Sequence, residues 1–304
     1  MREVYYLVKR NVLTFVRDYS AVFFSVLSMM IVLALMVIFL GSLNSNGVVE
    51  VLKELGGERD AALDKKNAEY LIQMWTLAGI LVVNTVTVTL TVMGGMVQDE
   101  SRGRLASFYV APVKRIKLAL GYVLSAWLVA VGMCVLTLVA GEVYMVAQGH
   151  ELLGAMELIK IVGMIALNAF VYASLGYLLA MAIHSDSAWS GMLTIIGTLV
   201  GFVGAIYLPM SQLPENVGNV LKCFPVLHGA AMMRVVLTKA AIEETFAGLP
   251  EVAGDIFRES MGVTIMINGN EVSLGFQLLF LLAYGIIAIM IATLISKRRR
   301  VRDR

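Results

Sequence analysis

QDESRGRLASFYVAPVKR, residues 98–115, is a charged, proline-broken stretch that separates two long apolar runs. One run extends from about Trp75 to Val97 and the other from about Leu118 to Val146. Each exceeds the about 20 apolar residues that a helix, rising about 1.5 Å per residue, needs to cross a hydrocarbon core. A short polar hinge between two such runs marks an integral membrane protein, and the composition agrees. Of 304 residues, 59% are hydrophobic and 15% charged, against roughly 45–50% and about 25% in soluble domains.

Four further runs, about Ala21–Gly41, Leu158–Ile183, Ala188–Leu208 and Leu274–Ile295, have the same character. The expected fold is therefore an all-α membrane protein of six transmembrane helices. The run from Ala21 follows Arg2, Lys9, Arg10 and Arg17, as the core of a signal peptide does. It is too long for one and lacks a small-residue cleavage site, so it is read as a permanent span. Orientation follows Lys and Arg. Residues 1–20, 98–117, 184–187 and 296–304 hold fifteen of the 24 Lys and Arg residues, whereas 42–74 and 209–273 are longer and acidic on balance. Both termini and the opening stretch are thus expected on the cytoplasmic face of the cell membrane. The net charge of +2 creates no global field that points to nucleic acid.

Residues 1–20 place Val4, Leu7, Val8, Val12 and Phe15 near helical spacing with basic residues between them, the pattern of an amphipathic interfacial helix. Residues 21–304 then form one transmembrane domain. Its first outer segment, 42–74, is polar, with a helical look around Val48–Leu55. In the second, 209–273, Leu213–Val220 and Leu227–Phe246 have helical spacing, broken by Pro209, Pro214 and Pro225, and are expected as short re-entrant or interfacial helices. Asn-Gly-Asn at 268–270 suits a hairpin turn between 263–267 and 271–274. The tail from Lys297 reads as an anchor against anionic lipid.

Within the opening stretch, Glu100 and Arg104 stand at i,i+4 and are expected to pair. Leu105, Phe108 and Tyr109 form an apolar patch, Pro112 ends the helix, and Lys114, Arg115 and Lys117 hold the next span at the headgroups. The result is a short amphipathic helix tied to two spans, with an apolar patch that a merely solvated loop does not need.

Together these features resemble the permease subunits of type-2 ABC exporters. The likeness rests on the amphipathic N-terminus; on Glu100, Gly103, Leu105 and Pro112 after the second span; on six spans with both ends inside; and on YLPMSQLPENVGNVLKCFPV, residues 207–226. The resemblance implies a cytoplasmic ATP-binding partner subunit, with ATP and Mg bound there and no cofactor in this chain. It assigns coupling to Asp99, Glu100, Arg102, Gly103, Arg104, Leu105, Phe108 and Pro112, with Lys9, Arg10 and Arg17 as a second contact. Pro209, Pro214 and Pro225 become an outer gate. It implies export, here of an amphipathic or hydrophobic substrate, to which the many Met, Phe and Val residues are suited. Gly197, Gly201 and Gly204 have a small-xxx-small spacing compatible with a second permease copy or with packing inside one chain; the resemblance favours the copy. Membrane lipids complete the expected partners.

Other chemistry is missing from the residues. No G-x-x-x-x-G-K-[ST] loop is present, so the chain is not expected to hydrolyse ATP itself. Tyr172-Ala-Ser174-Leu-Gly176 lacks the first glycine of a nucleophile elbow, and His150-Glu151 lacks a second zinc-site histidine. His150, His184 and His228 are expected to be solvated or interfacial, and with Cys134 and Cys223 they have no metal-ligand spacing. The rival reading is an ion-coupled secondary transporter using Glu142; a third is a membrane scaffold that only recruits a partner. Asn84, Thr85, Thr87, Thr89, Thr91 and Asn168 are expected to hydrogen-bond between helices.

Overall fold

In hydrocarbon, backbone N–H and C=O groups must satisfy one another, which favours helices throughout the apolar runs. The computed structural model describes residues 2–35, 41–55, 59–105 and 114–298. The elements begin with α1 (Arg2–Arg17), α2 (Tyr19–Leu35), α3 (Gly41–Leu55) and α4 (Ala61–Ser101). They continue with α5 (Arg115–Ala147), α6 (Ala155–Ala180) and α7 (Asp186–Val203). The shorter helices α8 (Glu215–Leu221), α9 (Pro225–Leu237), α10 (Lys239–Thr245) and α11 (Glu251–Ser260) precede a hairpin of β1 (Met266–Ile267) and β2 (Asn270–Glu271). The last helix is α12 (Leu274–Arg298).

Among the described residues, five helices are long and apolar enough to cross a membrane: α4, α5, α6, α7 and the Leu274–Ser296 part of α12. A sixth is counted if α8 and α9, bent by 88° across a short break, form one broken span. Five of the six expected spans are matched by these helices. The first, Ala21–Gly41, begins within α2 and continues through residues 36–40, which lie outside the described residues.

The centre of the bundle is α4, buried along most of its length and packed against α3, α5, α6, α7, α9 and α10. Its 41 residues span about 60 Å, twice the hydrocarbon thickness of about 30 Å. This corrects two sequence-based boundaries. Residues 61–74, expected in an outer segment, are the first turns of α4, opened by Asp60, whose carboxylate accepts from Ala62 and Leu63 N–H groups. Asp99 and Glu100, expected in a separate coupling helix, are the last turn of α4.

Polar side chains within α4 mostly satisfy themselves. Thr85, Thr87, Thr89 and Thr91 donate to carbonyls three or four residues back, for example Thr89 Oγ1 to Thr85 O at 2.7 Å. Only Asn84 of this stripe crosses between helices, donating to Thr137 Oγ1 of α5 at 3.1 Å. Asn168 likewise donates to Met164 O within α6. The expectation of interhelical bonding therefore holds for Asn84 alone, because a threonine hydroxyl reaches its own i−4 carbonyl more readily than a neighbour's.

Each of the three prolines starts a helical turn. Pro209 precedes a 3₁₀ turn, Pro214 precedes α8 and Pro225 is the first residue of α9, positions where a missing N–H costs nothing. The stretch expected as one helix over Leu227–Phe246 divides at Thr238 into α9 and α10. The hairpin forms as the Asn-Gly-Asn signal predicts. Met266 pairs with Glu271 and Ile267 with Asn270 across Asn268 and Gly269, both at positive φ (51° and 78°), as a type I′ turn requires.

Arg234 of α9 is fully buried and knits this end together. Its guanidinium donates to Ala205 O at 2.7 Å, Gly204 O at 3.3 Å and Gly262 O at 3.1 Å, and stacks 4.4 Å above the Trp75 ring. Trp75 Nε1 in turn donates to Met261 O at 2.8 Å. The cation thus caps the carbonyl end of α7, where the helix dipole is negative, and rests on an aromatic face. Arg234→Met is expected to lower the unfolding free energy by about 2–4 kcal/mol, because three buried carbonyls lose their donor. Arg234→Lys should recover only part of this, since an ammonium cannot reproduce the planar fork. Thermal unfolding of the purified protein in detergent checks both.

Candidate functional site

The opening stretch of the sequence is anchored by one buried carboxylate. Asp99, in the last turn of α4, has 5% of its side chain exposed. Arg10 of α1 forms an ion pair with its Oδ2, Tyr122 of α5 donates its hydroxyl to the same oxygen at 2.7 Å, and Arg104 Nη1 stands 3.6 Å from Oδ1. Burial lowers the basicity of Arg10, but the hydrogen bond and charge of Asp99 outweigh it and hold the guanidinium above its ordinary pKa.

Residues Glu3, Leu7, Arg10 and Asn11 lie on one face of α1, at the spacing that keeps side chains on a common stripe. Each meets α4 or α5. Lys117 Nζ is 2.6 Å from Glu3 Oε2, which keeps the Glu3 carboxyl below its usual range through that hydrogen bond. Asn11 Nδ2 donates to Ser125 Oγ at 3.2 Å. Leu7 sits against Gly121, where an added Cβ would lie 2.8 Å from Leu7 Cβ. Phe15 is buried near Val88 and Val129.

The neighbouring carboxylate turns elsewhere. Glu100 Oε1 stands 3.0 Å from His184 Nδ1, and Ser101 Oγ donates to Asp186 Oδ1 at 3.1 Å, which ties the end of α4 to the α6–α7 connection. Arg115, at the start of α5, donates to Ser296 O near the end of α12. The expected Glu100–Arg104 pair is not formed. The reason is local: α4 ends at Arg102, and Gly103 takes φ +70°, so Glu100 and Arg104 are not one helical turn apart. Arg104 reaches back to Asp99 instead.

The sequence-derived residues thus divide. Asp99 and Leu105 are buried within the chain, Arg10 is half-buried against Asp99, and Lys9, Arg17, Arg102, Gly103 and Arg104 are exposed. Phe108 and Pro112 lie outside the described residues. Gly201 and Gly204 pack within the chain: an added Cβ would come 2.3 Å from Tyr207 and 2.8 Å from Ile206, respectively, whereas one on Gly197 meets open space. Glu142 is buried near the far end of α5, where Oε2 accepts from Leu153 N–H at 3.1 Å. His228 departs from its expected solvated position. It is buried, donates through Nε2 to Lys222 O at 2.8 Å and packs on Phe280, because the break between α8 and α9 turns its ring inward. Sequence reasoning did not single out Tyr122, Ser125 or His184 as partners; a tyrosine and a serine about two and three turns inside the basic start of α5 were the available signal.

Helices of spanning length and a proline-punctuated segment before the last of them fit one kind of membrane protein. Residues 60–294 match the family described as ABC-2 family transporter protein. The chain belongs to that family. No curated protein matches it. The permease is accordingly a multi-pass membrane component of an ABC transport system, and the family implies an ATP-binding partner. Asp99, Glu100, Arg104, Tyr122 and His184 fall inside the matched range; α1, with Arg10, precedes it.

Asp99→Asn is expected to loosen α1 by about 1–2 kcal/mol, the scale of a charge-assisted contact that is partly exposed on one side. Hydrogen exchange of the α1 amides should accelerate by roughly tenfold. Combining it with Arg10→Gln should add little further loss; strict additivity of the two changes means that they do not act through each other.

Proposed function

We propose that the permease is driven by a separate ATP-binding subunit that docks at the Asp99 end of the bundle, and that this end is cytoplasmic. The observation that carries the reading is the Asp99 cluster, which joins α1, the end of α4 and the start of α5 into one unit. A partner pressing on any part of that unit moves two spans at once. The surface offered to it is basic, with Lys9, Arg17, Arg102 and Arg104 exposed around the buried carboxylate. In this reading α1 lies in the membrane interface, where Tyr5, Tyr6 and Tyr19 are exposed at the depth that amphipathic rings favour.

ATP and Mg are bound by the partner, and this chain contributes no hydrolytic group. Two permeases, either copies of this chain or this chain and a related one, form the pathway. The face of α7 bearing Ile195, Leu199 and Phe202 is exposed and apolar, and Gly197 beside it is open. An amphipathic substrate is supported by a notch of about 270 Å³ between α2, α4 and α5, where Ser25, Asn84, Thr87 and Thr91 stand beside Phe24 and Met133; the direction, export, is taken from the family resemblance. The bent α8–α9 pair, introduced by Pro214 and Pro225, enters the membrane without crossing it and, with the Pro209 turn, closes the opposite end.

Purification of the tagged permease from native membranes in mild detergent, followed by mass spectrometry, tests the reading. A stoichiometric soluble subunit with a phosphate-binding loop is the expected result; an intact, monodisperse chain with no such companion overturns it. Arg102→Glu is a more discriminating variant than reversal of Arg104, which would set a second carboxylate against Asp99. It is expected to reduce substrate-stimulated ATPase by about tenfold, the worth of one interfacial charge contact, while expression stays normal.

A further inference from the structure

The end of the bundle remote from Asp99 contains an arrangement that ATPase coupling does not use. A cleft of about 530 Å³ opens between α9, α10, α11, the hairpin and the first turn of α12. That volume lies within the range of about 300–1,000 Å³ typical of small-molecule sites. Its charged lining is Glu243, Asp255, Glu259 and Glu271 against Lys239 and Arg258. Arg258 is committed to Asp255, with Nη1 2.8 Å from Oδ1. Three carboxylates then face a single lysine, and among the described residues none of the three is paired with a base. A concave wall with an excess of one charge sign focuses its field into the cleft.

A second observation concerns Gln277, which also lines this cleft. It is 2% exposed, and its Nε2 donates to Val272 O at 3.0 Å, which fixes the orientation of the amide. Its Oε1 has no hydrogen-bond donor among the described residues. A buried amide oxygen left in this way costs about 1–3 kcal/mol, so the position favours a ligand that brings an N–H. Between the polar groups the wall is apolar, from Ile242, Val263 and Leu274. The carboxylates are spread around the rim, and no three acidic, His or Cys side chains among the described residues converge on a metal-sized point.

We propose that this cleft binds extended organic ammonium cations of the polyamine type. One ammonium donates to Gln277 Oε1, methylene segments lie along Ile242 and Leu274, and the remaining ammonium groups meet Glu243, Glu259 and Glu271. A compact cation cannot satisfy the separated carboxylates, and an anion is repelled by them. The site stands apart from the coupling reading, since binding to the isolated permease requires no ATPase.

The test is calorimetric titration of spermidine into the full-length permease in nanodiscs of phosphatidylcholine, a lipid that does not itself attract polyamines strongly, at constant ionic strength. Saturable one-to-one binding is expected. Glu243→Gln with Glu259→Gln should weaken it by at least about tenfold, the worth of one partly desolvated charge contact. Both side chains are exposed, so this variant tests the site without disturbing the fold. Gln277→Leu should weaken binding by about fivefold, as loss of one hydrogen bond predicts, and should do so less for a fully N-methylated analogue that has no N–H to give. Absence of saturable binding to the wild-type chain, an unchanged Kd in the double glutamate variant, or displacement of spermidine by an equal concentration of Mg²⁺ overturns the proposal.

Discussion

A charge removed from water must be met by an opposite charge, by oriented dipoles or by an aromatic face, and this requirement organises both ends of α4. At one end the buried cation is Arg234, satisfied by carbonyls of Gly204, Ala205 and Gly262 and by the Trp75 ring of α4 itself. At the other the buried anion is Asp99, satisfied by Arg10 and Tyr122. Neither can move alone without leaving its partners exposed to an apolar interior. The short helices α8–α11 are therefore registered to the start of α4, and α1 and α5 to its end.

Between these two clusters α4 is a single uninterrupted helix, and the hydroxyls of Thr85, Thr87, Thr89 and Thr91 are bound to its own backbone. A helix of this kind is stiff along its axis, and burial on nearly every face leaves it little room to bend. The arrangement suits a rigid lever better than a hinge. By contrast α7 is packed on one side within the chain, its only buried residues being Trp189, Val200 and Gly201, which leaves its other face free for the second permease of the proposed assembly.

The spans were legible in the sequence because a run of about 20 apolar residues has few uses outside a bilayer. Their ends were not. Hydropathy falls where charged and polar residues enter the sequence, while α4 continues through Ala61–Met74 and again through Asp99–Ser101, packed against its neighbours along much of that length. The hairpin was legible for a local reason, since Asn268-Gly269 is the cheapest way to hold two successive positive φ angles. The small-residue spacing over Gly197–Gly204 was ambiguous by nature: such a stripe permits close approach without naming the neighbour. Tyr207 and Ile206, folded back after α7, are the neighbours of Gly201 and Gly204. Asp99 was singled out within the opening stretch, but its partner Arg10 lies 89 residues away, beyond the reach of any periodicity.

Under the proposed docking, that distant partner narrows the surface open to the ATP-binding subunit. Sequence reasoning grouped Arg10 with Lys9 and Arg17 as basic residues of one N-terminal helix, yet Lys9, next to Arg10, does not share its face, and Arg17 is the last residue of α1. Arg10 points with Leu7 and Asn11 toward the bundle, while Lys9 and Arg17 remain exposed. The same division separates Asp99 from Arg102 on the other side of the cluster. The inward residues set the position of α1, and the outward ones carry the exposed charge that the proposed partner would meet. Residues 60–294 match the family without including α1, so the cation that neutralises Asp99 comes from outside the matched region. Arg104, at 3.6 Å and more than half exposed, is too distant and too well hydrated to replace it. The placement of α1 thus supplies the close ion-pair partner of the buried Asp99 carboxylate, and this links the N-terminal helix energetically to the two spans that flank the opening stretch.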